Sequence, residues 1–90
     1  MKMYTIRDQV AGFFIAPFTA PNDNVAKRMF ISSLGDSFPH RRDYSLHSIG
    51  AFDTDSGVLS PVEPYLVLAG LSVGEDLDPR VHFPSAPSQE

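Results

Sequence analysis

The chain opens on a period of two. Residues 2–7 alternate and are rich in tyrosine, threonine and isoleucine, so Tyr4 and Ile6 share one face of an expected strand. Asp8-Gln9-Val10-Ala11-Gly12 has the composition of a turn. Phe13 to Phe18 is a short apolar run of strand length, with Pro17 placing its end at an edge or a bulge. Together these segments predict an N-terminal hairpin.

The period then changes. Asn22-Asp23-Asn24 supplies N-cap chemistry, since a short side-chain oxygen can accept from the free amides of a first helical turn. Val25, Ala26, Met29, Phe30, Ser33 and Leu34 follow helical spacing, with Lys27, Arg28 and Ile31 off that stripe, and Gly35 is a stop. The spacing predicts a helix over 22–34 that lays Val25, Met29, Phe30 and Leu34 on a sheet. Residues 36–43 read as a polar connection. Residues 44–52 return to strand alternation, and Asp53-Thr54-Asp55-Ser56-Gly57 has tight-turn composition. Val58-Leu59-Ser60 begins a return strand that Pro61 closes, and Tyr65 to Ala69 is a last apolar strand. The order is ββαβββ. It implies an α+β fold: a small, mainly antiparallel sheet of four to five strands with one helix packed on one face.

Composition changes this picture at the C-terminal end. Residues 75–90 hold four acids and three prolines, with Leu77, Val81 and Phe83 as the large apolar groups. A single domain over 1–73 followed by an acidic, proline-containing tail over 74–90 is the expected organisation. The whole chain has 90 residues, 42 % of them hydrophobic, enough for one modest core. It has no cysteine, which excludes a disulfide scaffold, a thiol nucleophile and cysteine-ligated metals. No apolar run reaches the roughly 20 residues of a membrane helix, and the start is not a signal peptide, so the expectation is a cytoplasmic protein without membrane contact.

Charge is uneven. Residues 1–45 carry six basic against four acidic groups, and residues 46–90 one against seven, within a formal net charge of −4. The net charge argues against a strongly basic nucleic-acid binder. The polar cluster that stands out is His40, Arg41 and Arg42, with Lys27 and Arg28 on the preceding helix and Phe38 and Tyr44 flanking it. Cations that track phosphates and rings that stack bases are the ingredients of a single-strand nucleic-acid site. The same residues equally describe an ordinary solvated helix face and loop, with Tyr44 in the core.

Other constellations fall short. Asp53, Asp55 and Gly57 resemble the start of a calcium loop, but the sixth position is Val58 and the twelfth Pro64, where such a loop needs glycine and glutamate. His40, His47 and His82 lack the spacing of a metal set. There is no phosphate loop, no nucleophile elbow and no recognisable acid–base pair. The reading is non-enzymatic, with no cofactor and no metal.

Several segments read together resemble a known family. They are Lys2-x-Tyr4-x-Ile6-x-Asp8, then Pro17-Phe18-Thr19-Ala20-x-Asn22-Asp23-x-x-Ala26-x-Arg28-Met29-Phe30, then Asp43-Tyr44-x-Leu46-x-x-Ile49-Gly50-x-Phe52-Asp53-x-x-x-Gly57. In this order and spacing they resemble the small nonstructural protein of gokushovirus-like microviruses, which are single-stranded DNA bacteriophages. The resemblance covers roughly residues 2–57. It implies an accessory factor in the host bacterial cytoplasm that supports viral single-stranded DNA synthesis or its coupling to packaging. It carries over no catalytic residue. Arg28 is the matching position that packing explains least.

Two readings of function follow. In the first, Lys27, Arg28, His40, Arg41 and Arg42 form a contact face for single-stranded DNA, or for the viral replication or capsid-assembly proteins that handle it. In the second, the chain is a protein–protein adaptor or a homodimer joined across an open strand edge. The first requires the five groups on one surface, clear of residues 75–90. The second requires an exposed apolar patch or an unpaired edge.

Overall fold

The computed structural model describes residues 1–80. It contains a five-stranded antiparallel sheet and one α-helix. The strands are β1 (Lys2–Asp8), β2 (Phe13–Phe14), β3 (Phe18–Ala20), β4 (Tyr44–Phe52) and β5 (Leu59–Ala69), and the helix is α1 (Asp23–Leu34). β1 is central. It pairs with β4 on one side and, end to end, with β2 and β3 on the other, while β5 pairs with β4.

The α+β class holds, but the element order is βββαββ, for two local reasons. The apolar run from Phe13 breaks at Ile15–Pro17, so β2 and β3 meet different ends of β1. The two strands expected on either side of Pro61 are one, because β5 lies at the edge of the sheet, where a residue without an N–H is tolerated. Register slips there: Ser48 faces Tyr65 and Gly50 faces Pro61, so Ile49 stands against three residues of β5. Gly50 is required at this bulge. Its φ is 152°, and a Cβ would run into the Ser60 carbonyl.

The turn chemistry is local. The Asp8 carboxylate accepts from Val10 N and Ala11 N at 3.0 Å each. Asp53 Oδ1 accepts from Asp55 N at 2.8 Å, and Gly57 N donates to the Asp53 carbonyl. The Asp53–Gly57 stretch is thus occupied as a turn. The helix starts as its sequence dictates, with Val25 N donating to Asn22 Oδ1 at 2.9 Å.

α1 covers one face of the sheet. Ala26, Phe30 and Leu34 form its buried line and meet Tyr4, Ile6 and Leu46, with Ala20, Phe38 and Val73 closing the core. Met29 does not join them: it is 40 % exposed, while Ile31, expected off the stripe, packs against the core. The two residues flank the buried line on opposite sides; next to Met29 the cover reaches Val25 but not Met29 itself.

The connection after α1 is not an open loop. Gly35–Asp43 forms 3-10 turns that carry Phe38 into the core. A second short turn, Gly70–Ser72, seats against it so closely that a Cβ on Gly70 would collide with the Arg41 carbonyl. Val73 is buried directly after this contact. Within the expected tail, Glu75–Leu77 makes one 3-10 turn, and Asp78 and Arg80 pair at 2.7 Å. The part of that tail over 81–90 lies outside the described residues.

Candidate functional site

The residues proposed from sequence as a contact face do not form one stacking platform. Phe38 is 1 % exposed and sealed in the core. Tyr44 is half-buried at the start of β4 and packs against the same core. Phe38 cannot receive a base, and Tyr44 is turned in part toward the core. The flanking charges suggested exposure for Phe38, but a 3-10 turn points one residue in three inward, and Phe38 is that residue.

Arg41 is also committed. Its Nε donates to the Val73 carbonyl at 2.6 Å, and its guanidinium lies 5.0 Å over the Phe38 ring. It clasps the segment after β5 onto the 3-10 turns, which is a structural role. Lys27 is half-buried on α1. Arg28, His40 and Arg42 remain exposed. Arg28 borders a shallow, open groove with Met29, Ser32 and Ser33. Asp36, on the same 3-10 segment as His40 and Arg42, adds a carboxylate to this side. Arg41 helps hold the Asp78 carboxyl below its usual range, although the Arg80 side chain is the main cause. The basic cluster is therefore divided, and part of the acidic segment that follows β5 already lies near it.

A second polar group sits at the N-terminus of α1. The Tyr4 hydroxyl donates to Asp23 Oδ1 at 2.5 Å, and Lys2 Nζ donates to the same oxygen at 3.2 Å. These two bonds, Tyr4 first, hold the Asp23 carboxyl below the usual range. Burial, followed by the bond to Asp23, pushes the Tyr4 phenol up. The trio ties β1 to α1 at the helix end that favours negative charge. Both bonds converge on one carboxylate oxygen, so the trio acts as a brace.

The features that sequence reasoning missed are on the sheet. Directly opposed residues of antiparallel strands share a face. Arg7 faces Phe14 and Ser45, Thr5 faces His47, and His47 faces Leu66. All of these lie opposite to Tyr4, Ile6 and Leu46, on the face that α1 does not cover. The Arg7 guanidinium stands 5.0 Å over the Phe14 ring, and His47 meets the edge of that ring at 5.5 Å. Gln9 Nε2 donates to Ser45 Oγ at 2.9 Å, and Ser45 Oγ and His47 Nε2 share a hydrogen bond, also at 2.9 Å, whose direction follows the imidazole tautomer. Burial and then the Arg7 charge hold the His47 pKa below its usual value.

Large apolar groups lie open around this face and along β5. Phe13, Phe14 and Ile15 are 58, 41 and 42 % exposed, and Leu59 and Leu66 are each 57 % exposed. Val58, Val62 and Tyr65 are also exposed. Among the described residues no strand pairs with the outer edge of β5. No helix among them is long and apolar enough to cross a membrane. No group of three or more His, Asp or Glu among them could hold a metal ion.

The described residues form one sheet and one helix, with large apolar side chains exposed on the sheet face away from α1. Residues 1–73 match the model of the family described as Phage ORF5 protein, and the chain belongs to that family. It is thus a phage protein, and the match ends at Val73. No curated protein and no solved structure matches it.

Proposed function

We propose that this phage protein is a non-enzymatic accessory factor of the small nonstructural type found in gokushovirus-like single-stranded DNA phages. It acts in the cytoplasm of the infected bacterium and supports single-stranded DNA synthesis or its coupling to packaging. It does so by protein contact, as an adaptor to the viral replication or capsid-assembly machinery. The observation that carries this reading is the contrast between its two candidate surfaces. The basic cluster has lost Phe38 and Tyr44 to the core and Arg41 to a structural clasp. The sheet presents Phe14, Leu59 and Leu66 about half exposed. Exposed apolar groups gathered on one surface mark protein interaction.

A second reading, direct contact with single-stranded DNA, is favoured by Arg28, His40 and Arg42, which stay exposed on α1 and the turns after it. A phage carrying the variant gene separates the two. Leu66→Asp should depress the yield of single-stranded progeny DNA, whereas Arg28→Ala/Arg42→Ala should leave it near the parental level. In parallel, fluorescence anisotropy with a labelled single-stranded oligonucleotide at about 50 and 200 mM salt should show little binding. Tight binding that falls steeply with salt and is lost in the arginine variant would replace protein contact with DNA contact.

A further inference from the structure

An antiparallel sheet with one face on a core normally turns a polar face to water. This one does so only in part. On the face away from α1, the register places Thr5 and Arg7 of β1, Phe14 of β2, Ser45, His47 and Phe52 of β4, and Leu59 and Leu66 of β5. Thr5 and Ser45 are buried there, while Phe14, Leu59 and Leu66 are the large side chains left exposed. Arg7 is the formally charged residue among them, and its guanidinium is already laid over Phe14. The ring contacts confirm independently that Arg7, Phe14 and His47 share this side.

The occupant follows from chemistry and size. A nucleic-acid strand needs a row of cations to meet its phosphates, and this face has one arginine in use. A strongly charged protein partner would likewise find no complementary set. An added strand at the edge of β5 would meet Pro61 and Pro64, which have no N–H to give. What the face complements is another apolar sheet face, and a two-fold axis supplies one by setting the patch against itself. The size is compatible. The molecule measures 39 × 34 × 17 Å, so its whole broad side, the upper bound on what a stacked copy could cover, is on the order of 1,000 Å², against the roughly 800 Å² per partner of a standard interface.

We infer that the uncovered sheet face is a self-association surface, and that its occupant is a second copy of this chain, stacked sheet to sheet. Four layers result, α/β/β/α, with the two sheets about 10 Å apart. Phe14, Leu66 and their symmetry mates fill the centre, and α1 stays outside. The inference rests on the protein-contact reading above and deepens it by naming the partner.

Sedimentation velocity of the full chain across the micromolar range tests this. The expected result is a species of twice the 9.9 kDa chain mass. Phe14→Asp and Leu66→Asp should each weaken association by about thirtyfold or more, as loss of a central anchor does. Their far-UV circular dichroism should match the parent, since both side chains are about half exposed. Should Leu66→Asp misfold, Leu59→Lys replaces it, and should Phe14→Asp misfold, Phe14→Ser replaces it. Phe14 decides the geometry, because β2 and β5 lie at opposite sides of the sheet. A dimer joined along the β5 edge would ignore Phe14→Asp, and that result overturns the stacked arrangement. A parent chain that stays monomeric overturns the second copy altogether. If Leu66→Asp then still depresses phage DNA yield, the protein-contact reading survives with a different partner.

Discussion

On one side of the sheet Tyr4, Ile6 and Leu46 retain between none and 5 % of their surface; on the other, Phe14, Leu59 and Leu66 retain 41 to 57 %. The buried set comes from the central strands β1 and β4 and the exposed set from β2 and β5, on opposite faces of one sheet. β1 sends Tyr4 and Ile6 one way and Arg7 the other, and β4 does the same with Leu46 and His47. The difference is whether a second layer is present. Under α1, apolar residues make a core; without it, apolar residues of the same kind stay exposed to solvent. The two sides of the sheet can therefore be altered separately.

The largest effect should come from the covered side. Phe30→Ala removes a ring with no exposure and should cost about 3–5 kcal/mol in a urea titration. Phe14→Ala, on the open side, should cost no more than about 1 kcal/mol in a dilute sample. Similar losses for both would erase the distinction between the faces.

Next comes the brace beneath α1. Tyr4→Phe keeps the packing but removes the phenol bond to the Asp23 carboxylate, with an expected loss of about 1.5–3 kcal/mol. It should also raise the pH at which Asp23 titrates, which carbon-detected NMR would follow. That carboxyl sits below its usual value in the folded chain, so its contribution is present above the ordinary 3.8 and is lost as pH falls through the folded value.

A smaller effect belongs to the open side. The His47 pKa lies below the ordinary 6.5 in the folded chain. The unfolded chain therefore takes up the proton first, and stability should decline as pH drops below about 6.5. Arg7 on β1 is the charged group facing the ring, and Ser45 and Gln9 are its polar neighbours. His47→Gln should flatten the urea midpoint between neutral pH and the onset of carboxylate titration. An unchanged slope would mean that the ring is not held neutral there. The smallest effect is expected from Arg28→Ala/Arg42→Ala, within about 0.5 kcal/mol of the parent, because both residues are exposed.

What was legible in the sequence was local. Asn22 caps α1, the Asp8 and Asp53 turns close on their own carboxylates, and the class of fold follows from the two periods. Pro61 misled because a proline ends a strand only where its N–H would be needed, and edge position is a property of the sheet. Phe38 misled because its neighbours in sequence are polar while its neighbours in space are Arg41 and the core. The open face was the least legible feature. Phe14, His47 and Leu66 are separated by long stretches of chain and become neighbours only through register, which a single sequence does not display.

The central position of β1 has a consequence for synthesis. β1, with which β2, β3 and β4 all pair, precedes each of those partners in the chain. Its partner β4 ends at Phe52, with Lys2 facing Ala51. At about 5–20 residues per second, β1 waits roughly two to nine seconds for β4 to be translated. In that interval its partners are the short strands β2 and β3. The Asp8–Gly12 turn keeps β2 next to β1 in sequence, and slow codons between α1 and β4 would lengthen the time for which Tyr4 and Ile6 lack the β4 side of their core.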